Sequence, residues 1–359
     1  VRQLGLTSLV YPSATHSRFE HSLGVMHLAG ELAESTGMDE RKRKELRIAG
    51  LLHDSGHGPF SHASEVLAEK QGASHEDFSC MIVDELEDMI PVDTENVKKM
   101  IRGETDEAKI IAGEIDADRM DYLVRDSHSS GLEHGNIDVA TIVRLAEMEE
   151  GKMVFDEKAI QALESLFTAR FHMIRSLYRH HTCEIAEKML QRALENLLER
   201  ISLQELMEMD DYEAHSELLR KGGSSTKIYS RIKNRELYKR ALVWGEEEIG
   251  REGLKAVERR IGNERKIERK IAEKAGVKQE DIILDAPKTP DIESIDVSIR
   301  KELGREKLSE NSPIIGSLRE AEWRMVALKV YCPQDEREKV EEAAEEIMKD
   351  YSSVLSGYL

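Results

Sequence analysis

The spacing of apolar residues along the first half of the chain predicts a series of amphipathic helices. Apolar side chains recur every three or four positions over residues 15–37, and Gly37 can end that helix. Asp39 can cap a second helix, which lasts until the glycine-rich break at residues 56–59. The same periodicity predicts further helices over residues 76–89, 94–102, 107–126, 139–149 and 156–202. The first half is therefore predicted to be a helical bundle.

The pattern changes after about residue 203. Helical stretches near 204–222 and 239–276 alternate with short strand-like runs, which lie at 226–232, 281–284 and 325–331. Residues 286–317 are rich in polar residues and turn formers, and we expect one strand there, near 296–299. The sequence thus predicts a mainly α protein, with a helical core over residues 1–202 and a smaller mixed α/β lobe over residues 203–359.

Composition supports a folded chain and restricts its partners. Of 359 residues, 40% are hydrophobic and only 7 are proline, which argues against disorder. The net charge of −19 argues against broad binding to nucleic acid or anionic membranes, although a local basic cleft can still hold an anionic small substrate. The 3 cysteines form no paired motif, and no signal peptide or membrane span is visible, so we expect a cytoplasmic protein. Because the sequence opens at Val1 without an initiator Met, we expect its native start to lie upstream.

Histidine is concentrated near the start of the chain, since seven of the 13 fall within the first 75 residues. A single helical histidine is usually a surface or hydrogen-bonded core residue, whereas a cluster indicates a site that binds metal or moves protons. The adjacent His53 and Asp54 end an apolar helix just before the break, where both side chains can turn toward one ion. A hydrolytic metal needs three or four protein ligands, so further ligands must come from elsewhere.

Residues 114–126 supply candidates for those partners. On a helix, Asp118, Arg119, Tyr122 and Asp126 lie within an arc of about 100°. Such a charge run is usually a solvated face with ordinary ion pairs. Here, however, apolar residues occupy the other faces, and this indicates burial, which makes unused charges costly.

A third segment, residues 167–181, mixes Arg170, Tyr178 and two histidines along a predicted helix. Helical spacing places His181, and not His180, on the face of Arg170 and Tyr178. From spacing alone, a packing role is as well supported as a site. The sequence contains no P-loop, dinucleotide fingerprint, serine nucleophile elbow or zinc-finger pattern, which disfavours the enzymes that cradle ATP in such loops.

Three segments resemble the HD superfamily of phosphohydrolases. They are RFEHSLGV at residues 18–25, LHDSGHGPFSH at 52–62 and DADRMDY at 116–122. Within the superfamily they are most similar to the dNTP triphosphohydrolases, which include a vertebrate sterile-alpha-motif/HD enzyme and prokaryotic relatives. The resemblance implies that the helical bundle is an HD core, and that His21, His53, Asp54 and Asp118 bind a divalent metal such as Fe, Zn, Mn or Mg.

The same resemblance implies the remaining roles in the active site. It assigns phosphate contacts to Arg18, Arg119, Tyr122 and Arg170. It assigns proton handling beside the α-phosphate to His57, His62, Glu65 and His75, with His62 as the general acid. For the sugar, it places Gln3 and Asp126 at the 3′-hydroxyl and Leu4 and Tyr178 where a 2′-hydroxyl would lie, and it selects His180 over His181 as a substrate contact.

Weaker similarity extends through residues 232–239 and 329–332. In the relatives this lobe supports oligomers and binds nucleotide activators, and the match places Arg235 and Lys239 at activator contacts. The resemblance therefore implies a homo-oligomer, dimer or tetramer, with a regulatory C-terminal lobe. It also implies hydrolysis of a dNTP to deoxynucleoside and triphosphate, by attack of metal-activated water on the α-phosphate.

Two other kinds of function fit the same metal set. One is a deoxynucleoside monophosphatase or a cyclic-nucleotide phosphodiesterase, since HD metal sites serve many phosphoesters. The other is a non-catalytic nucleotide sensor that signals through its C-terminal lobe. The preferred base and the native metal are left open by the sequence.

Overall fold

The chain divides into two compact units in a computed structural model that describes residues 1–261, 263–290 and 297–356. The first unit contains Val1–His180, Leu198–Ser216 and Ile295–Gly316, and the second contains His181–Leu197, Glu217–Ser294 and Ser317–Leu359. The units alternate along the sequence, so neither is one continuous stretch of chain. The domain boundary near residue 202 stays a prediction.

The first unit is mainly helical, as predicted. Its helices, including α11 and α16, which continue past its limits, are α1 Arg18–Ser35, α2 Glu40–Leu52, α3 His62–Lys70, α4 His75–Glu85, α5 Thr94–Ile101, α6 Ala117–Ser130, α7 Val139–Arg144, α8 Ile160–Met173, α10 Leu203–Met207, α11 Asp211–Arg220, α15 Leu308–Asn311 and α16 Pro313–Trp323. A single π-helical turn, Ile174–Tyr178, follows α8 directly. The unit also contains a four-stranded sheet in the order β1–β2–β5–β6, formed by Ala146–Glu149, Lys152–Asp156, Ser298–Lys301 and Gly304–Lys307.

Local sequence signals fix the helices that carry the site. Ser17 and Glu20 form a capping box at the start of α1, which satisfies backbone N–H groups that the first turn leaves free. The Asp116 side chain caps α6 by accepting a hydrogen bond from the Arg119 backbone N–H at 2.6 Å. Helix α1 packs against both α2 and α6. At Gly50 of α2, a Cβ atom would lie 3.3 Å from the backbone of Val25, so glycine permits the close approach of α1 and α2.

The second unit is a small α/β structure. Its three-stranded antiparallel sheet has the order β3–β7–β4, with strands Lys239–Trp244, Leu328–Cys332 and Ile283–Asp285. Its helices, apart from the ends of α11 and α16, are α9 His181–Leu197, α12 Gly223–Lys233, α13 Glu246–Arg260, α14 Glu264–Ala275 and α17 Arg337–Ser356. Fully buried Ile271, Val330 and Val340 belong to one apolar core that joins α14, β7 and α17. The predicted class, mainly α with a smaller mixed α/β part, is confirmed.

Several individual elements differ from the prediction. The expected strand at 226–232 is wrong, because those residues lie in α12, where Ser225, Ile228 and Ile232 are buried at helical spacing. The expected helix over 239–276 begins with strand β3, because pairing with β7 overrides local propensity. The helix expected over residues 139–149 is shorter, because α7 ends at Arg144 and residues 146–149 form strand β1.

Strands β1 and β2 form a hairpin that the periodicity did not predict. Glu150 and Gly151 connect them with positive φ angles of 51° and 73°, a pair of left-handed residues that matches the twist of a two-residue hairpin. Glutamate is rare at such a position, so residue type does not predict this turn. In the part of the chain that the structure describes, no helix combines the length and apolar character needed to cross a membrane.

Candidate metal centre and active site

The four predicted metal ligands lie together in the first unit. His21 belongs to α1, His53 and Asp54 follow the end of α2, and Asp118 lies in the first turn of α6. His21 Nε2 lies 2.9 Å from Asp118 Oδ1 and 3.5 Å from Asp54 Oδ2, while His53 Nε2 lies 3.4 Å from Asp54 Oδ1 and 3.8 Å from Asp118 Oδ1. Two imidazoles and two carboxylates thus converge on one point.

These residues fit a divalent cation. The Nε2 atoms of His21 and His53 are buried, and neither has a hydrogen-bond partner of acceptable geometry among the described residues. The ligand atoms of His21, His53 and Asp54 lie within 4.8 Å of one another. Burial disfavours a charged His21, but the Asp118 and Asp121 carboxylates raise its pKa to about 10. The centre therefore strongly favours a positive charge, and its nitrogen and carboxylate donors suit Zn, Fe or Mn.

A second layer of contacts orients the two imidazoles. The Nδ1 atom of His21 lies 2.8 Å from Asp121 Oδ2, and that of His53 lies 2.9 Å from the Gly50 carbonyl oxygen. In the neutral form that binds metal, both acceptors hold the imidazole proton on Nδ1, which leaves the Nε2 lone pair facing the centre. Arg125 donates hydrogen bonds of 2.8 Å to each oxygen of Asp121. Asp121 and Arg125 were not predicted as site residues, although their i, i+4 spacing on a predicted helix is a signal for such a pair.

Arg18 lies directly beside the centre. Its guanidinium forms an ion pair with Asp54, and its Nε donates a hydrogen bond of 2.8 Å to Ser61 Oγ. Arg18, His53 and His57 together hold the pKa of the buried Asp54 carboxyl well below its usual range, although burial acts in the opposite direction. Asp54 is therefore ionised, as a metal ligand must be.

The other predicted phosphate contacts gather around Tyr122 on α6. Burial raises the pKa of the Tyr122 phenol, and the charges of Arg119 and Arg170 act against that rise. Burial disfavours the charge on Arg119, yet Asp116 and Tyr122 keep its pKa above the usual value. Arg170 is buried near the end of α8. Arg119 and Arg170 thus place positive charge near Tyr122, on the helix that carries Asp118.

The four residues predicted to handle protons form one cluster. Glu65 Oε1 lies 2.6 Å from His75 Nδ1 and 3.5 Å from His57 Nε2, and Glu65 Oε2 lies 2.9 Å from His62 Nδ1. The rings of His57 and His75 stack with centroids 4.1 Å apart. Burial disfavours an ionised Glu65, but its three histidine neighbours hold its pKa well below the usual range.

The members of this cluster differ in protonation. Burial lowers the pKa of His57 to about 4, so that this ring is neutral near pH 7. Burial acts the same way on His75, but the Glu65 carboxylate more than compensates and raises its pKa. The side chain of His62 is 62% exposed, and Glu65 binds its Nδ1. His62 Nε2 is therefore the nitrogen that can meet a substrate.

The predicted sugar contacts meet around Asp126. Asp126 Oδ2 accepts a hydrogen bond of 2.8 Å from the Tyr178 hydroxyl, and Asp126 Oδ1 lies 2.7 Å from His16 Nε2. The backbone N–H of Gln3 donates to the His16 carbonyl oxygen at 3.0 Å, while the side-chain Oε1 of Gln3 is buried without a partner among the described residues. Leu4 follows in the same segment and is half-buried. His16 was not predicted as a site residue, because only the folded structure places it in contact with Asp126, 110 residues away.

The region after α8 is not a continuous helix, so helical spacing cannot be applied to His180 and His181. The π-helical turn Ile174–Tyr178 shifts the phase of the helix, and the chain leaves helical geometry before α9 begins at His181. His180 lies in the first unit, with its ring 6.0 Å from that of Tyr11 in an edge-on arrangement. The exposed His181 belongs to the second unit.

The two predicted activator contacts lie in the second unit. Arg235 is exposed and has a φ of 61°, and Lys239 is exposed at the start of β3. Lys239 lines a cavity of about 310 Å³ in the same unit, together with His181, Tyr238, Arg240 and Arg337. Arg235 is not among the residues that line this cavity.

Two family models match this chain. The HD domain model matches residues 18–126, and the model of the HD associated region matches residues 137–351. The uncharacterized protein MJ1154 of Methanocaldococcus jannaschii is 36% identical in an alignment of 362 positions, which covers 98% of this chain and 75% of that protein. The "deoxynucleoside triphosphate triphosphohydrolase SAMHD1 homolog" of Dictyostelium discoideum is 32% identical over 67% of this chain and 53% of its own length.

A solved structure has the same fold over nearly the whole chain. The crystal structure of a hypothetical protein from Aquifex aeolicus is 29% identical, covers 96% of this chain and 90% of its own, and superposes with a TM-score of 0.75. Apart from MJ1154, the chain spans about half the length, or less, of the curated relatives it matches.

Proposed function

Since this chain belongs to the HD-domain phosphohydrolase family, we propose that it hydrolyses deoxynucleoside triphosphates to deoxynucleoside and triphosphate. The two family models together cover most of the chain, which confirms the resemblance and the enzyme class predicted from the sequence. The substrate is our inference from the residues around the metal centre and from relatives named as dNTP triphosphohydrolases.

The observation that carries the proposal is the convergence of His21, His53, Asp54 and Asp118 beside the Arg18 guanidinium. A divalent cation held by these four side chains would polarise a phosphate oxygen and lower the pKa of water toward about 7. Arg18 offers a planar donor group for phosphate oxygens at the same place. The pairing of a cation site with a buried arginine favours a phosphoester substrate.

Arg119 on α6 and Arg170 on α8 add further positive charge. Both lie near the Tyr122 phenol, and a triphosphate carries enough negative charge to engage several arginines. Preorganised cations of this kind stabilise the charge that develops as the bond at the α-phosphorus breaks. A monophosphate could engage fewer of these arginines than a triphosphate.

His62 is placed to act as the general acid. In the reaction, water attacks the α-phosphorus, the bond from phosphorus to the 5′-oxygen breaks, and the leaving oxygen needs a proton. Glu65 holds His62 through Nδ1 at 2.9 Å, which leaves a proton on Nε2 for transfer when the ring is charged. The buried and neutral His57 supports the cluster without competing for that role.

The contacts of Asp126 support a preference for deoxyribose. The carboxylate already accepts hydrogen bonds from Tyr178 and His16, and it can accept one more from a 3′-hydroxyl. The Leu4 side chain offers no polar group to a 2′-hydroxyl, and the Tyr178 phenol already donates its proton to Asp126. A ribonucleotide would bury an unsatisfied hydroxyl there and lose affinity.

Product identification tests the proposal. The protein, loaded with Mn²⁺ or Zn²⁺, is incubated with each dNTP alone, with all four together, with ATP, with dAMP and with a cyclic nucleotide. We expect deoxynucleoside and intact triphosphate from dNTPs only. Release of phosphate from dAMP, or opening of the cyclic nucleotide, would replace the proposal with one of the rival phosphohydrolase activities. Binding of dNTP without turnover under every condition would favour the nucleotide sensor.

The cavity beside Lys239 supports a regulatory role for the second unit. Lys239, Arg240 and Arg337 give this cavity a cationic lining that suits a nucleotide phosphate. We propose that Lys239, with Arg235, contacts an activating nucleotide, and that the active form is a homo-oligomer. Turnover of mixed dNTPs that exceeds the sum of single-substrate rates would reveal the activator, and light scattering with and without nucleotide would reveal the assembly.

A further inference from the structure

Two short segments form the wall of the active site on the side of Arg18. One is the beginning of the chain, where Gln3 and Leu4 follow Arg2. The other is the turn Phe60–Ser61, which leads into His62 at the start of α3. The Ser61 hydroxyl joins both segments, because it donates a hydrogen bond of 2.6 Å to the Arg2 carbonyl oxygen and accepts one of 2.8 Å from Arg18 Nε.

The turn at Phe60–Ser61 is strained. Phe60 has a φ of 60° and Ser61 a φ of 54°, in the left-handed region that residues with side chains rarely adopt. Two consecutive residues of this kind persist only where neighbouring contacts hold the backbone. The conformation places the Ser61 hydroxyl on Arg18 and His62 beside Glu65. A contact that holds the turn therefore also holds two groups of the site.

Asp211 provides that contact. Its Oδ1 accepts a hydrogen bond of 2.7 Å from the Phe60 backbone N–H, and its Oδ2 accepts one of 2.9 Å from the Arg2 backbone N–H. One carboxylate thus bridges both segments. All three residues lie in the first unit, although Asp211 comes from the stretch Leu198–Ser216, far along the sequence and outside the match to the HD domain.

We propose that Asp211 is a positioning residue of the active site, which locks the strained turn and the chain start in the arrangement that His62, Arg18 and Leu4 require. The role of Asp211 in turnover rests on the proposed function, whereas its two hydrogen bonds to the Phe60 and Arg2 backbone do not. Asp211 touches none of the four metal ligands in the contacts that the structure gives, so its effect is on the substrate side of the site.

The preceding residue offers a matched control. Asp210 Oδ1 accepts hydrogen bonds from the backbone N–H groups of Tyr212 and Glu213 at 2.7 and 2.8 Å, and so caps α11 locally. Asp210 and Asp211 are adjacent, have the same charge and lie at the same helix end. Only Asp211 reaches the two segments of the site.

The experiment compares Asp211→Ala, Asp211→Asn and Asp210→Ala in the full chain by hydrogen exchange, metal content and kinetics with a dNTP. For Asp211→Ala we expect amide exchange over residues 3–7 and 58–63 to rise at least tenfold, and kcat to fall about 10- to 100-fold with unchanged Mn²⁺ content. Asp211→Asn keeps one strong acceptor, so both effects should be smaller. Asp210→Ala should raise exchange only over residues 211–216 and leave kcat within twofold.

The two readouts separate this proposal from the proposed function. If the parent protein hydrolyses no dNTP, the proposed function fails, and the exchange data still decide whether Asp211 holds the two segments. Unchanged exchange over residues 58–63 in Asp211→Ala would overturn the claim that Asp211 holds the strained turn. Faster exchange with kcat within twofold of the parent would overturn its role in turnover. If Asp211→Ala does not fold, Asp211→Asn carries both comparisons.

Discussion

Replacing Gly24 by alanine should loosen the metal centre without touching a metal ligand. Gly24 lies one turn after His21 on α1, and the Asp121 carboxylate passes over it to reach His21 Nδ1. A Cβ atom at Gly24 would lie 1.7 Å from Asp121 Oδ1 and 2.6 Å from Arg125 Nη2. Helix propensity alone would favour alanine by about 1 kcal/mol, so any loss must come from this collision.

The size of the effect follows from the geometry. Real Cβ contacts are essentially never under 3.0 Å, so Asp121 Oδ1 must withdraw by at least 3.0 − 1.7 = 1.3 Å. The added Cβ would also lie 2.5 Å from Asp121 Cγ, so the whole rigid carboxylate must move, Oδ2 included. Such a movement would break the 2.8 Å hydrogen bond between Asp121 Oδ2 and His21 Nδ1, since little attraction remains beyond about 3.5 Å. A buried N–H donor left without a partner costs about 1–3 kcal/mol. Loss of a carboxylate that orients a metal-binding histidine lowers metal affinity by about 10- to 100-fold.

Equilibrium dialysis against buffered Mn²⁺ and Zn²⁺, with metal measured by mass spectrometry, would test this prediction. Gly24→Ala and Asp121→Asn should both show the 10- to 100-fold rise in metal Kd. Gly316→Ala is the matched control, because an added Cβ there meets no atom within 4 Å. If folded Gly24→Ala bound both metals within twofold of the parent, the orientation of His21 by Asp121 would not matter for the centre.

Four further changes test other parts of the account. Asp118→Ala should abolish turnover and bound metal together, measured on one sample, and wild-type rates with normal metal content would exclude Asp118 as a ligand. His62→Ala should lower kcat about 100- to 10,000-fold at unchanged metal content, and a smaller loss would mean that another group protonates the 5′-oxygen. Tyr178→Ala should reduce the preference for dATP over ATP in kcat/KM at least tenfold, and an unchanged ratio would remove Tyr178 from sugar selection. Lys239→Glu should eliminate any activation by mixed nucleotides while single-substrate rates persist, whereas retained activation would place the activator elsewhere.

The sequence allowed part of the site to be predicted from local chemistry. His53 and Asp54 stood out because they are adjacent at a helix end, and Asp118 because its helical face carries charges that burial would make costly. His21 has no such local signal and was identified through the resemblance of its motif. Its partner Asp121 lies 100 residues away, and only the packing of α1 against α6 brings the two side chains within 2.8 Å.

Helices with a long hydrophobic period could be predicted from the sequence. The prediction failed for elements whose structure is decided by tertiary contacts. Helices α1 and α2 follow their periodicity and caps. Strand β3 is six residues long with charged neighbours, and pairing with β7 gives it a structure that its own sequence does not specify. The π-helical turn Ile174–Tyr178 likewise interrupts the helical spacing from which His181 was placed beside Arg170 and Tyr178, and no residue type in the sequence marks it.

Hydrolysis in ¹⁸O-labelled water shows whether water attacks the α-phosphorus of a dNTP. The metal-loaded protein is incubated with a dNTP in H₂¹⁸O, and both products are weighed by mass spectrometry. Attack of water on the α-phosphorus predicts one ¹⁸O atom in the released triphosphate and none in the deoxynucleoside, with no product from Asp118→Ala. Labelled pyrophosphate or inorganic phosphate, ¹⁸O in the deoxynucleoside, or an unconsumed dNTP would contradict hydrolysis at the α-phosphorus.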